Sequence, residues 1–317
     1  MKFRYIFNLV PVLILFVFAS GCQQPKKLIP GEGYIPVNGG RVWYRIVGEG
    51  KGTPILLLHG GPGVPSYYLK PLEVLGKDRP VIFYDQLGCG KSDPITDTSL
   101  LTVEHFVNEL EQVKEALGLK EYYLYGQSWG TMLATDYYLK YPAGIKALIM
   151  SSPAISIPMW LKDADTLIAT LPDSVQNAIL TNEQSKTFDS PDYQKAIKIY
   201  YQNFLARKLP WSPDIDSAFS KMGVNVYTYM GGPSEFTMIG PLKDYDRTSR
   251  LNEIKVPTLF ITGEFDEARP STVKYYQSLV AGAEFKLIEN AGHMTMQDNP
   301  EQNNQAISDF LNKLESK

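Results

Sequence analysis

The pentapeptide Gly126-Gln127-Ser128-Trp129-Gly130 sets a serine two residues from a glycine on either side. It follows the apolar run Tyr122–Tyr125 and precedes a helical stretch, Thr131–Tyr141. In that context a G-x-S-x-G turn lifts the serine hydroxyl out of a sheet and aims the first amides of a helix at it. A serine hydroxyl is a weak nucleophile until a base takes its proton. The chain has only three histidines. His59 precedes Gly60-Gly61 at the end of an apolar run. His105 sits near the start of a helical stretch and reads as a surface or packing residue. His293, in Ala291-Gly292-His293-Met294, follows the last apolar run, where a loop can drop an imidazole onto Ser128. His293 is therefore the base. The acid that orients it belongs between Ser128 and His293 at a strand end. Gly263-Glu264-Phe265-Asp266-Glu267 offers Asp266 first, with Glu264 and Glu267 as local alternatives. Asp85 precedes the serine, which is the wrong order, and reads as a brace for the glycine-rich turn beside it.

Attack of Ser128 on a carbonyl creates an oxyanion that needs fixed amide donors. His59-Gly60-Gly61-Pro62-Gly63 follows Ile55–Leu58, where such a loop belongs. The backbone N–H of Gly61, or that of Gly60, would act with that of Trp129. The loop lacks the Lys-Ser/Thr of a phosphate-binding loop, and no G-x-G-x-x-G is present. There is no C-x-x-C pair for zinc. Neither a metal nor a cofactor is called for.

These residues need a scaffold that brings distant loops to one edge. Short apolar runs bounded by Gly or Pro recur at Ile55–Leu58, Val81–Tyr84, Tyr122–Tyr125, Ala147–Met150, Thr258–Thr262 and Phe285–Glu289. Continuous apolar runs suit strands buried on both faces of a parallel sheet. Tyr34–Val37 and Arg41–Val47, joined through Asn38-Gly39-Gly40, read as a β-hairpin. Val103, Phe106, Val107, Leu110, Val113 and Leu117 share one helical face, with Thr102 as N-cap and Gly118 as stop. Strand and helix alternation predicts an α/β domain. The pattern breaks between Ser156 and Leu251, where helical pieces such as Tyr193–Arg207 replace buried strands. The expected organisation is a core over 33–155, a helical cap over 156–250 inserted between sheet strands, and the rest of the core over 251–317.

The N-terminus is different. Lys2 and Arg4 precede an apolar run, Leu9–Ala19, and then Ala19-Ser20-Gly21-Cys22. A basic start, a short apolar stretch and small residues describe an export signal over 1–21. The run is about half the ~20 residues a membrane span needs. The ending resembles a bacterial lipobox, in which Cys22 would carry acyl chains and residues 22–32 a tether. That predicts an exported protein, lipid-anchored to a bacterial membrane and facing the periplasm or the exterior. Removing 1–21 takes away Lys2 and Arg4 and no acid, leaving 296 residues and a formal charge of −5 in place of −3. This acidic balance gives no footprint for nucleic acid. Of the two cysteines, lipidation would consume one and leave Cys89 alone.

Taken together, His59-Gly60-Gly61-Pro62-Gly63, Asp85-Gln86-Leu87-Gly88-Cys89-Gly90-Lys91-Ser92, Gly126-Gln127-Ser128-Trp129-Gly130, Gly263–Pro270 and Ala291–Met294 resemble the proline iminopeptidases among the α/β hydrolases. The resemblance runs from about Gly33 to the C-terminus. It implies a mostly parallel sheet with a helical cap, and release of N-terminal proline, or a similar small apolar residue, from short peptides. Met230-Gly231-Gly232-Pro233-Ser234-Glu235-Phe236 looks like the cap segment in which that family holds the substrate's free α-amine. The resemblance assigns this task to Glu235 and to Glu267. The cap aromatics Trp160, Trp211, Tyr227 and Tyr229 are candidates for the side-chain pocket. An esterase or amidase of the same fold without amine recognition, and an inactive peptide-binding lipoprotein, are the alternatives.

Overall fold

The computed structural model describes Met1 and residues 28–316. The export signal and Cys22 lie outside the described residues, as does most of the tether. Among the described residues eight strands form one sheet in the order β1-β2-β4-β3-β5-β6-β7-β8. β1 (Gly31–Val37) and β2 (Gly40–Val47) pair antiparallel through the Asn38-Gly39 turn, with Val37 opposite Gly40. Gly39 supplies the positive φ, 96°, that such a turn requires. β2 also pairs antiparallel with β4 (Val81–Tyr84). The remaining strands are parallel: β3 (Ile55–Leu58), β5 (Tyr122–Ser128), β6 (Ile145–Pro153), β7 (Thr258–Gly263) and β8 (Glu284–Ile288).

The apolar runs divide with period two between the faces. Leu56, Leu58, Ile82, Leu124, Leu148, Met150 and Phe260 pack with α1 (Val103–Leu117) and α2 (Trp129–Lys140). Ile55, Leu57, Val81, Tyr123, Ile149, Leu259 and Ile261 pack on the other face against the 3-10 helix Ser66–Lys77. One expectation needs correction. The run at Phe285–Glu289 is not a strand buried on both faces: β8 closes the sheet's edge, and Lys286 and Leu287 are exposed.

α1 starts where its cap allows. The Thr102 side chain accepts the His105 amide, and Gly118 ends the helix in the left-handed region. Between β6 and β7, which are neighbours in the sheet, the chain makes α3 (Ile157–Ile168), α4 (Asp173–Ser185), α5 (Pro191–Phe204), α6 (Pro213–Ser220) and α7 (Val224–Met230). The two ends of this helical segment meet, since Ser156 bridges Asp246 and donates its hydroxyl to that carboxylate at 3.1 Å. Leu167, Ile168, Val175, Ile179, Ala196 and Tyr200 give the segment an apolar cluster of its own. After β7, α8 (Pro270–Ser278) precedes β8, and α9 (Thr295–Asp298) and α10 (Pro300–Glu315) end the chain.

The loop after β4 is held from behind by a buried acid. Glu109 of α1 is fully buried; its Oε2 accepts the Leu87 amide at 3.1 Å and its Oε1 has no partner among the described residues. Burial pushes its pKa from 4.5 up to about 8. Between those values the folded state keeps a proton that the unfolded state loses. The contribution of this group to stability is therefore present below about pH 4.5 and is lost as pH rises through 8. Glu109→Gln keeps an acceptor for the Leu87 amide and cannot ionise. Urea unfolding of this variant should differ little from wild type near ~pH 5 and show a gain of at least ~1 kcal/mol near ~pH 9; equal effects at both pH values would contradict the argument.

Candidate active site

Ser128 sits at the junction of β5 and α2 with φ 54° and ψ −123°, a conformation few residues with a side chain adopt. The turn closes because its flanks have no Cβ. One on Gly126 would lie 2.4 Å from the Gly130 carbonyl oxygen, and one on Gly130 would lie 2.3 Å from that of Leu58. α2 therefore starts hard against the end of β3. Its first amide, that of Trp129, is one of those a helix leaves unpaired.

His293 is buried beside α9, and its Nδ1 lies 2.7 Å from Asp266 Oδ1. That partner keeps the proton on Nδ1 and leaves Nε2 as the basic nitrogen. Asp266 is fully buried. Its Oδ1 also accepts the Ala268 amide at 2.8 Å, and its Oδ2 accepts the Gly263 amide at 3.1 Å and the Thr262 hydroxyl at 3.0 Å. The two alternative acids point elsewhere. Glu264 is exposed and accepts the Asn290 amide at 3.0 Å. Glu267 turns into a cavity of about 240 Å³.

That cavity brings together Ser128, His293, Gly61, Glu235 and Glu267, with Tyr201, Phe219 and Tyr227 from the helical segment. Of the two oxyanion-loop amides, that of Gly60 is already spent on the Tyr68 hydroxyl at 2.7 Å, which leaves that of Gly61. The Tyr68 hydroxyl in turn donates to Gln127 Oε1 at 2.6 Å. The other two histidines do not line this cavity. His59 is fully buried; it donates from Nδ1 to the Gly60 carbonyl at 3.0 Å and accepts the Gln86 amide at Nε2, 2.9 Å away. Burial lowers its pKa to about 4, so it stays neutral. His105 is buried edge-on to Phe106. Asp85 accepts from Ser66 and from the Lys91 amide, and so braces the Gly88–Ser92 turn. Cys89 is buried and free.

Two carboxylates share the cavity wall. Glu267 is buried and its Oε1 has no hydrogen-bond partner among the described residues. Burial first, then the charges of Glu235 and Asp266, push its carboxyl well above the ordinary range. Glu235 is raised by burial too, against the Tyr227 hydroxyl that donates to its Oε1 at 2.8 Å. Two adjacent acids without a cation cannot both ionise at ordinary cost. An ammonium group placed between them would let both do so. Of the four aromatics offered for the pocket, only Tyr227 lines it. Trp160 packs edge-on against the His293 ring at 5.4 Å, Trp211 stacks on Phe219, and Tyr229 is largely exposed. Among the lining residues missed from the sequence, Tyr201 and Phe219 come from faces of α5 and α6, and Leu205 and Met222 from the segments just after those helices, all of which depend on docking.

Comparison with known proteins places the chain among relatives. Residues 53–300 match the family described as the alpha/beta hydrolase fold. The proline iminopeptidase of Heyndrickxia coagulans is 45% identical over 287 residues, covering 89% of this chain and 99% of that protein. A crystal structure of proline iminopeptidase from Mycobacterium smegmatis superposes with TM-score 0.84 at 30% identity, over 90% of this chain and 98% of that one. The crystal structure of VinJ gives TM-score 0.86 at 35% identity, over 90% of this chain and 100% of that one.

The serine turn makes a checkable demand. Gly130→Ala would press a methyl group against the Leu58 backbone, which cannot retreat without moving β3. It should destabilise the protein by ~1–3 kcal/mol in urea unfolding and distort the Ser128 turn; an unchanged midpoint would contradict the packing described.

Proposed function

Because this chain belongs to the proline iminopeptidase family of α/β hydrolases, we propose that it is a serine aminopeptidase that releases N-terminal proline, or a similar small apolar residue, from short peptides through an acyl-enzyme. Ser128 attacks the scissile carbonyl while His293 Nε2 takes the hydroxyl proton. Asp266 holds the imidazole by Nδ1 and stabilises the positive charge it gains. The amides of Gly61 and Trp129 receive the oxyanion. His293 then gives its proton to the leaving amine, and water repeats the sequence on the acyl-enzyme. Glu235 and Glu267 receive the substrate's α-ammonium and, by fixing it, set which carbonyl reaches Ser128. The observation that carries this reading is one small cavity holding a nucleophile beside a pair of acids with an unpartnered oxygen. An esterase has no use for such a pair, because ionising it without a cation is costly.

The reading predicts hydrolysis of L-prolyl arylamides and no turnover of their N-acetylated forms. Ser128→Ala should lower kcat/KM by ~10⁴-fold or more. Glu235→Gln should lower it by at least ~30-fold, as expected for losing one partner of a desolvated charge pair. Equal turnover of free and N-acetylated substrates would favour an esterase instead.

We also propose that the protein is exported and tethered to a membrane through Cys22. The support is Lys2, Arg4, the Leu9–Ala19 run and Ala19-Ser20-Gly21-Cys22. Among the described residues no helix is long and apolar enough to cross a membrane. Acyl chains would supply ~0.8 kcal/mol per buried methylene. Labelled fatty acid fed to a bacterial host should appear in the wild-type chain and not in Cys22→Ala; label retained in the variant would rule the anchor out.

A further inference from the structure

The two amides assigned to the oxyanion come from separate parts of the chain. Gly61 lies on the loop after β3, and Trp129 begins α2. Such donors work only when they converge on one point about 3 Å from both. The buried side chain of Gln86 touches both Trp129 and the residue that opens the loop after β3. Gln86, on the loop after β4, is 1% exposed. Its backbone amide donates to His59 Nε2 at 2.9 Å, and its side-chain Nε2 donates to the His59 carbonyl at 3.2 Å. Its Oε1 accepts the Trp129 indole N–H at 2.8 Å. The His59 ring carries the hold forward, since its Nδ1 donates to the Gly60 carbonyl, whose carbon is bonded to the Gly61 nitrogen. The clamp is itself anchored, because the next amide, that of Leu87, is held by Glu109. Gln86 is not among the residues lining the cavity, so it does not reach substrate.

We propose that Gln86 is a positioning residue for the reaction: it fixes the separation and aim of the Gly61 and Trp129 amides by binding His59 on one side and the Trp129 indole on the other. The inference rests on the assignment of those two amides to the oxyanion. A residue that merely fills space would affect folding, or ground-state and transition-state binding alike. A clamp on the oxyanion donors acts on the transition state alone.

The test compares Gln86→Met, Trp129→Phe and the double variant. The first removes the glutamine's side-chain hydrogen bonds at similar volume; the second removes the indole N–H and keeps the backbone amide. With L-prolyl arylamide, Gln86→Met should lower kcat by ~10- to 100-fold and move KM by less than about threefold. Affinity for a prolyl boronate, which forms a tetrahedral adduct on Ser128, should fall in proportion to kcat/KM, while affinity for L-proline holds. The double variant should be no worse than the worse single variant, because both changes break one clamp. Full kcat in Gln86→Met, KM and L-proline affinity worsening as much as kcat, or additive losses would each overturn the proposal. If Gln86→Met does not fold, Trp129→Phe decides alone by the same split of kcat against KM. Wild type and Ser128→Ala separate the two levels. A wild type inactive on the arylamide defeats the aminopeptidase reading, whereas an active wild type, a dead Ser128→Ala and a fully active Gln86→Met defeat only this inference.

Discussion

A strand that becomes a helix within one residue has to bring two backbones closer than any Cβ permits. At Ser128 this is met by glycine on either side, with the Gly130 site 2.3 Å from a strand carbonyl and Ser128 itself at φ 54°. The strain is local and must be over-determined by its surroundings. The surroundings do this: β5 lies at the centre of the sheet between β3 and β6, and α2 is buried along most of its length. Much of the site is arranged around that fixed point. The loop after β3 runs beside the start of α2, the loop after β7 brings Asp266, and the loop after β8 brings His293.

Charge is handled differently at each buried position. His59 and Glu109 are kept neutral, one by a lowered pKa and the other by a raised one, and both serve as hydrogen-bonding posts for the loop after β4. Asp266 is equally buried but has four hydrogen bonds to its carboxylate, which is how a buried anion is made tolerable. Among the described residues Glu267 has no partner for its Oε1. Glu109 shares the unpartnered oxygen, but of the two only Glu267 lines the cavity. Under the proposed amine-binding role a ligand cation would relieve the cost of ionising Glu267, and substrate binding would remove an electrostatic penalty in the same event.

What could be read from the sequence followed how local the determining interactions are. The Ser128 turn is specified within five residues, and the α1 caps by Thr102 and Gly118. The sheet runs were readable because each is short, apolar and bounded, although β8 carried the same composition to an edge where one side is left open. Glu264, Asp266 and Glu267 stand within four positions, and only the backbone path of their turn sends one outward, one to His293 and one into the cavity. The choice between Gly60 and Gly61 depended on Tyr68, a residue of another element that occupies the Gly60 amide. The pocket aromatics depended on how five helices dock, which no periodicity within one helix reveals. Trp160 and Trp211 are therefore packing residues, while Tyr201 and Phe219 form the wall.

The docking of that helical segment explains why it can sit between β6 and β7 without loosening the site. Its backbone is stitched to the catalytic loops instead of only resting on them. The amides of His293 and Met294 donate to the carbonyls of Phe204 and Leu205 at the end of α5, and Gly223 donates to the Gly63 carbonyl of the oxyanion loop. Asp298 accepts the amides of Arg207, Lys208 and Gly292, which ties the exit of α5 to the loop that carries His293. On the far side, Glu183 of α4 accepts the hydroxyls of Tyr193, Ser234 and Thr237, the last two flanking Glu235. Glu235, Glu267 and Ser128 therefore belong to one hydrogen-bonded frame, although Glu235 and Ser128 arise from different layers. In such a frame the distance from a fixed ammonium to an attacked carbonyl is a property of the backbone, and that distance is what confines an aminopeptidase to the first residue of its substrate.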